Sequence, residues 1–398
     1  MKELNKRILD KSNKMFDELV KIRRHIHQNP ELSFKEFLTA EFIRDYLRKA
    51  GIEYKAIAET GTVALIGKGE KCVALRADID ALPINEETKL EYASKNKGVM
   101  HACGHDMHST MLLGAARILK EMENELNGTV KIIFQPGEEK LPGGASKLID
   151  EGVLEKPKVS AMFAQHIFPE EVTGAISLNS GYIMASADEL YWTLKGKGTH
   201  AAQPHLGNDC IMAASQLVIN LQSIVTKYRN PVKPGLLSVT SIQGGSAPNA
   251  FPDEVKLMGT FRANDEEWRN KMHEEIRRIT NETCSLFGIK GEVDIVKGYP
   301  ALYNNPDTTQ LVKATAEEML GADSVKVFEP KLWAEDFAYY AQKVPSTFWF
   351  LGIRPIGIKD MPPLHNSKLS PDEKALSIGV AMLAATAFDY LNHDNRNI

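Results

Sequence analysis

Cys72-Val73-Ala74-Leu75-Arg76-Ala77-Asp78-Ile79-Asp80 begins as an unbroken apolar run and ends in two acids. A short apolar run without alternation reads as a strand covered on both faces, and such strands belong to mostly parallel sheets. The same pattern recurs. Val130–Phe134 runs into Gln135-Pro136-Gly137-Glu138-Glu139, Val159–Ala164 into Gln165-His166, and Thr347–Gly352 into the loop ending Leu364-His365-Asn366. In an open α/β sheet, ligands bind beyond the carboxyl ends of the strands, where loops carry polar groups without breaching the core. Four apolar strands therefore deliver acids and imidazoles to one edge.

Outward from these strands, amphipathic helices are expected over residues 14–28 and 36–50, the second closed by Gly51, with a further helix over Ser109–Met122. Alternating strands and helices imply an α/β fold with a mostly parallel, covered sheet. The pattern changes near residue 185. Strand Glu189–Leu194, a helix from Asp209 to Lys227, strands Leu236–Ile242 and Glu254–Arg262, helix Asp265–Phe287 and strand Glu292–Val296 give the order β-α-β-β-α-β. That is a ferredoxin-like α+β unit. Beyond Tyr299-Pro300 the alternation resumes with helices Thr308–Leu320 and Glu335–Ala341, strand Thr347–Gly352 and a final helix from Asp372 to about Leu391. The expected division is a larger domain of residues 1–185 and 298–398, into which residues 186–297 are inserted.

A chain of 398 residues is long enough for two domains. Its 43% hydrophobic and 25% charged residues match soluble globular proteins rather than disordered or fibrous ones. The net charge of −4, from 48 basic and 52 acidic residues in mixed order, argues against a nucleic-acid or anionic-membrane partner. No stretch reaches about 18 uninterrupted apolar residues, and the charged start Met-Lys-Glu-Leu-Asn-Lys-Arg is unlike a signal peptide, so a cytoplasmic location is expected. Cys72, Cys103, Cys210 and Cys284 are too scattered for a disulfide framework and are expected to be reduced.

Cys103 stands apart because it lies within His101-Ala102-Cys103-Gly104-His105-Asp106-Met107-His108. On an extended backbone, residues 101, 103 and 105 face one side. Thiolate with imidazole suits zinc and its late transition-metal neighbours better than magnesium or calcium. Adjacent Glu138 and Glu139 allow one carboxylate to bind metal while the other faces the attacking water, which makes a hydrolytic centre. Alone, a Glu-Glu pair reads as solvated surface and a strand-end histidine as structural. Their recurrence at one sheet edge favours the functional reading. His25, His27, His101 and His108 are read as structural, with His101 the exception to watch.

Five stretches carry a family resemblance: Arg76-Ala77-Asp78-Ile79-Asp80-Ala81-Leu82-Pro83, His101-Ala102-Cys103-Gly104-His105-Asp106, Phe134-Gln135-Pro136-Gly137-Glu138-Glu139, Gly198-Thr199-His200-Ala201-Ala202 and Leu364-His365-Asn366. In order and over most of the chain, they resemble the co-catalytic metallopeptidases and acylases. These include glutamate carboxypeptidase, aminoacylase and succinyl-diaminopimelate desuccinylase. The nearest likeness is to the subfamily of hippurate hydrolase, indole-acetyl-amino-acid hydrolases and N-acetyldiaminopimelate deacetylase. The resemblance implies that Cys103, His105, Glu139, His166 and His365 bind two divalent cations, with Cys103 bridging and Glu138 as general base. Zinc or manganese is expected, with cobalt or nickel compatible. The wider family has a His-x-Asp signature and a bridging carboxylate here, from which Asp78 and Cys103 depart in the manner of the subfamily. Of Asp78 and Asp80, Asp78 is preferred as the acid that orients an imidazole ligand.

The resemblance also makes the inserted domain a lid and dimerisation domain. From it His200 would stabilise the oxyanion, in its own or a partner subunit, while Asn249 and Arg262 face the substrate carboxylate. The activity implied is hydrolysis of N-acyl-amino acids or small peptides by a homodimer or larger homo-oligomer. Two alternatives stand beside it: a thiol amidase with Cys103 as nucleophile, and a non-catalytic metal- and ligand-binding module.

Overall fold

Strand Cys72–Asp78 is buried at all seven positions, as is strand Thr129–Gln135 beside it. In the computed structural model, which describes residues 2–392, they occupy the middle of an eight-stranded sheet. Its order is Tyr54–Ile57, Gly61–Gly67, Thr129–Gln135, Cys72–Asp78, Ala161–Val172, Ser346–Arg354, Ile176–Leu178, Val325–Val327. The central four strands run parallel. Antiparallel pairing enters on either side of them, so the sheet is mixed with a parallel centre. Because those four strands share a direction, the loops after Asp78, Gln135 and Arg354 open at the same edge.

Strand Ala161–Val172 differs from the expected Val159–Ala164 by continuing well past His166. His166 pairs in register with Phe350 and is an interior strand position, not a loop residue beyond the strand end. Ladder bonding to Ser346–Arg354 continues through Ile167 and Phe168, which are themselves buried, and this carries the strand onward.

Helix His105–Glu121 has fourteen buried residues and packs against the final helix, Ala375–Asn392, and against strand Cys72–Asp78. The final helix is long and apolar enough to cross a membrane, but 89% of that window is buried inside the protein, as in a core helix. The charged N-terminal stretch forms a helix of its own, Lys2–Lys14, ahead of helix Phe16–Gln28, which answers to the one expected over residues 14–28. The expected helix Glu335–Ala341 shortens to Ala338–Ala341.

Residues Tyr182–Leu302 and Pro330–Glu335 form a second compact unit. Its four-stranded antiparallel sheet has the order Lys290–Lys297, Asp188–Lys195, Glu254–Ala263, Gly235–Gln243. With helices Cys210–Leu221 and Glu266–Leu286 this is the ferredoxin-like arrangement. Segment 330–335 joins the unit because Trp333 O accepts from Ala185 N, at 2.9 Å. Leu190, Trp192, Leu194, Leu217, Phe261, Met272 and Ile276 form its own core. Asp209 caps the first helix by accepting from Ile211 N and Met212 N, and Asp265 caps the second through Trp268 N.

Candidate metal centre

Gly104 has φ +83°, and a Cβ there would lie 2.1 Å from Ile167 Cδ1. Only glycine fits this turn, which leads directly into helix His105–Glu121 and leaves Cys103 and His105 almost wholly buried. Gly137 has φ +62° and lies against the Phe34 ring, so the chain turns sharply just before Glu138 and Glu139. His365 also has positive φ, and its N–H donates to Ala102 O at 2.8 Å, tying its loop to the one that carries Cys103.

These turns bring five of the expected side chains together. Cys103 Sγ lies 3.4 Å from His166 Nε2, and His365 Nε2 lies 3.2 Å from Glu139 Oε1. Cys103, His105 and His166 form one group with ligand atoms within 4.8 Å of one another. Cys103, Glu139 and His365 form a second, and His105, Glu138 and Glu139 a third. Two three-donor sets thus share the Cys103 sulfur.

The donors are prepared to ligate. His105 Nδ1 lies 3.2 Å from Asp80 Oδ1, which leaves Nε2 facing the cluster. His166 Nδ1 donates to Ile167 O at 2.7 Å, so its Nε2 carries the lone pair toward Cys103. His105 Nε2 and Glu139 Oε1 are buried and make no hydrogen bond. Buried polar atoms without hydrogen bonds are costly, and a bound cation would satisfy both, Glu139 Oε1 having only the His365 imidazole nearby at 3.2 Å. The residues fit a pair of divalent cations of the late transition-metal type.

Asp78 sits differently from expectation. Its Oδ1 accepts from His108 Nδ1 at 2.7 Å, and its Oδ2 accepts from Arg76 NH1 at 2.7 Å, whereas His105 Nδ1 is 3.8 Å away. Asp80, not Asp78, is the acid within hydrogen-bonding reach of the imidazole in the cluster. His108 keeps the structural reading, because Ile167 N donates to its Nε2 at 3.0 Å and both ring nitrogens are occupied. His101 is buried with neither ring nitrogen bonded, and no cluster of possible ligands includes it among the described residues.

Electrostatics follow from this crowding. Burial opposes protonation of His105, but the Asp78, Asp80 and Glu139 carboxylates outweigh it and push the imidazole up to about 10. Burial, reinforced by Glu139, Glu138 and Asp78, pushes the Cys103 thiol well above its ordinary value. Burial and the neighbouring His108 keep His166 neutral. A nucleophilic cysteine needs electropositive surroundings, and Cys103 has the reverse. The thiol-amidase reading loses its footing there.

His200, Asn249 and Arg262 belong to the second unit. His200 is exposed and its Nδ1 accepts from Ala202 N, while Asn249 O accepts from Ala201 N at 2.9 Å, so the two separate loops that carry them pair with each other. Arg262 is half-buried and bonds to Thr260 Oγ1 and Phe261 O. Residues outside the sequence expectation also shape the cluster. Arg76 and Gln135 bond Asp336, and Ser33 Oγ donates to Asp80 Oδ2 at 2.6 Å. No periodicity or spacing pointed to Ser33 or Asp336; Arg76 stood in a quoted motif without a role.

Residues 74–389 match the model of peptidase family M20/M25/M40. The chain belongs to the M20 peptidase family. It is 43% identical over 340 residues to N-acetyl-L-cysteine deacetylase of Bacillus subtilis, covering 84% of this chain and 80% of that one. It is 38% identical over 383 residues to thermostable carboxypeptidase 1 of Saccharolobus solfataricus, covering 94% and 96%. The crystal structure of the Bacillus subtilis YxeP protein, a dinuclear metal-binding peptidase of the M20 family, superposes with a TM-score of 0.83 at 33% identity, covering 95% of this chain and 99% of that one. This M20 protein is a metal-dependent enzyme that hydrolyses amide bonds.

Proposed function

We propose that this M20 enzyme cleaves the amide bond of N-acyl-amino acids or small peptides, with Cys103, His105 and His166 holding one divalent cation and Cys103, Glu139 and His365 the other. The observation that carries this reading is the pair of donor sets sharing the Cys103 sulfur. Zinc and manganese suit the mixture of thiolate, imidazole and carboxylate, and cobalt and nickel are compatible with it. Cations bound there supply Lewis acidity and make water a nucleophile near neutral pH.

The chain's own residues do the rest. Glu138 takes a proton from the attacking water on its carboxylate and returns it to the leaving nitrogen, so the amide becomes a carboxylate and a free amine. Asp80 holds the His105 ring through Nδ1. His200 donates to the developing oxyanion, and Asn249 and Arg262 receive the substrate carboxylate, the guanidinium through paired hydrogen bonds.

Residues 186–297 act as a lid and dimerisation domain in this reading. Helix Cys210–Leu221 leaves Met212 60% and Ile219 65% exposed, and Gly235–Gln243 is a sheet edge, a surface suited to a second copy of the chain. A cytoplasmic setting agrees with four buried, unpaired cysteines. Screening N-acyl-amino acids and dipeptides with protein reloaded with each of the four metals tests the function. Amine release that chelator abolishes and metal restores is expected; activity indifferent to chelation would contradict it.

A further inference from the structure

Glu31–Glu36, the segment between helices Phe16–Gln28 and Phe37–Lys49, touches both loops that carry the chemistry. Ala81 N donates to Glu31 O at 2.8 Å, and Leu32 bridges in parallel to Ala81, so the segment runs beside the Asp80 turn. Ser33 Oγ donates to Asp80 Oδ2, the same oxygen that accepts from Glu139 N at 3.0 Å, while Asp80 Oδ1 faces His105. Glu36 is fully buried. Its Oε1 accepts from Phe34 N at 2.7 Å and from Gly137 N at 2.9 Å, and its Oε2 accepts from Thr60 Oγ1 at 2.8 Å. The Phe34 ring lies against Gly137, at φ +64° for Phe34 itself.

No cationic side chain hydrogen-bonds to Glu36 among the described residues; its donors are two backbone amides and a hydroxyl. Burial, together with the charge of Asp80, pushes its carboxyl up to about 7. An acid in such a place is a poor device for stability, since apolar or amide groups would fill it at less cost. What it does achieve is to fix the N–H of Gly137, at the turn that presents Glu138 and Glu139.

We propose that Ser33 and Glu36 are positioning residues of the hydrolytic site: Ser33 acts through Asp80 on His105, and Glu36 acts through the Gly137 amide on Glu138 and Glu139. The Glu36 half rests on the hydrolytic reading given above; the Ser33 half rests only on the ligand role of His105. Neither residue touches substrate.

The test uses the full chain, with Mn²⁺ titrated by calorimetry, kcat and KM measured on an N-acyl-amino acid at saturating metal, and thermal midpoints recorded. Ser33→Ala should weaken Mn²⁺ binding about tenfold, within the range for groups that orient a ligand from behind. Glu36→Ala should lower kcat about ten- to a hundredfold, with KM within about twofold and Mn²⁺ stoichiometry kept. Glu36→Gln, which keeps an oxygen for the Gly137 amide, should restore most of that loss. Should Glu36→Ala fail to fold, Glu36→Asp, whose shorter side chain cannot reach all three donors, reports the same kcat fall in milder form. Unchanged Mn²⁺ affinity in Ser33→Ala overturns the first half. Unchanged kcat in Glu36→Ala, or Glu36→Gln as damaged as Glu36→Ala, overturns the second. Wild-type protein that binds Mn²⁺ but cleaves no amide overturns the hydrolytic reading and the Glu36 half with it, while the calorimetry still decides Ser33.

Discussion

His105 is turned so that one nitrogen meets Asp80 and the other, without a hydrogen bond, meets the cluster. Asp80→Asn should therefore weaken cation binding about ten- to a hundredfold by metal titration, and more than Asp78→Asn does, because Asp78 lies beyond bonding range of that ring. The pH dependence has a definite sign. With His105 up at about 10 and the Cys103 thiol raised, both groups hold protons near neutrality that a cation must displace. Affinity should fall as pH drops, by up to about tenfold per unit for each proton displaced, in titrations between about pH 8 and pH 6. An affinity flat over that window would contradict the ligand roles. At this scale the sequence exposes Cys103, His105 and the Glu138–Glu139 pair through density and placement. It cannot choose between Asp78 and Asp80, because residues two apart on an extended backbone face the same way. The choice is made by Ser33 Oγ and Glu139 N, which anchor Asp80 from distant stretches of chain.

Elements were legible where hydrophobic pattern and turn chemistry agree. The apolar strands Cys72–Asp78 and Thr129–Gln135 and the helix Glu266–Leu286 lie close to where the sequence pattern puts them, while the helix expected from Asp209 to Lys227 ends as an α-helix at Leu221 and a π-helical turn, Ile224–Tyr228, follows it. The strand through His166 was not legible in full, since its continuation depends on pairing with Ser346–Arg354, and no local signal records a partner so far along the chain. In the second unit, strand Asp188–Lys195 opens on a buried acid. Asp188 accepts from Arg269 Nε at 2.9 Å, His273 Nε2 at 2.6 Å and Gly298 N at 3.1 Å. Burial alone would raise its carboxyl, but Arg269 and His273 hold it down to about 2. A folded pKa below the ordinary 3.8 stabilises above that value and ceases to do so as pH falls toward 2. Asp188→Asn should cost about 3 kcal/mol in denaturant unfolding at neutral pH, since it removes one of the two carboxylates facing buried Arg269 and leaves it Glu266, 3.1 Å away, and the penalty should shrink in acid. A neutral-pH loss below about 1 kcal/mol would show the network to be dispensable.

For the whole molecule, a parallel sheet core gathers candidate ligands from residues 103 to 365 at one edge, so that the dense Cys103–His105 stretch is joined by groups far away in the sequence. The interruption of α/β alternation near residue 185 made the second sheet visible in the sequence, because a β-α-β-β-α-β order with its own apolar core is complete in itself. The surface proposed for association was not visible there: exposed Met212 and Ile219 stand out only once the helix face is known. Light scattering should give twice the mass of the chain, and Met212→Glu with Ile219→Glu should give the monomer. The account as a whole turns on cations held by the Cys103-sharing sets and a proton carried by Glu138, and one measurement addresses both: metal stoichiometry and kcat in Glu138→Ala beside the wild type. Two cations per chain in each protein, with kcat lowered about a thousandfold or more in the variant, is the predicted result. Retention of substantial turnover, or loss of both metals together with the side chain, would contradict it.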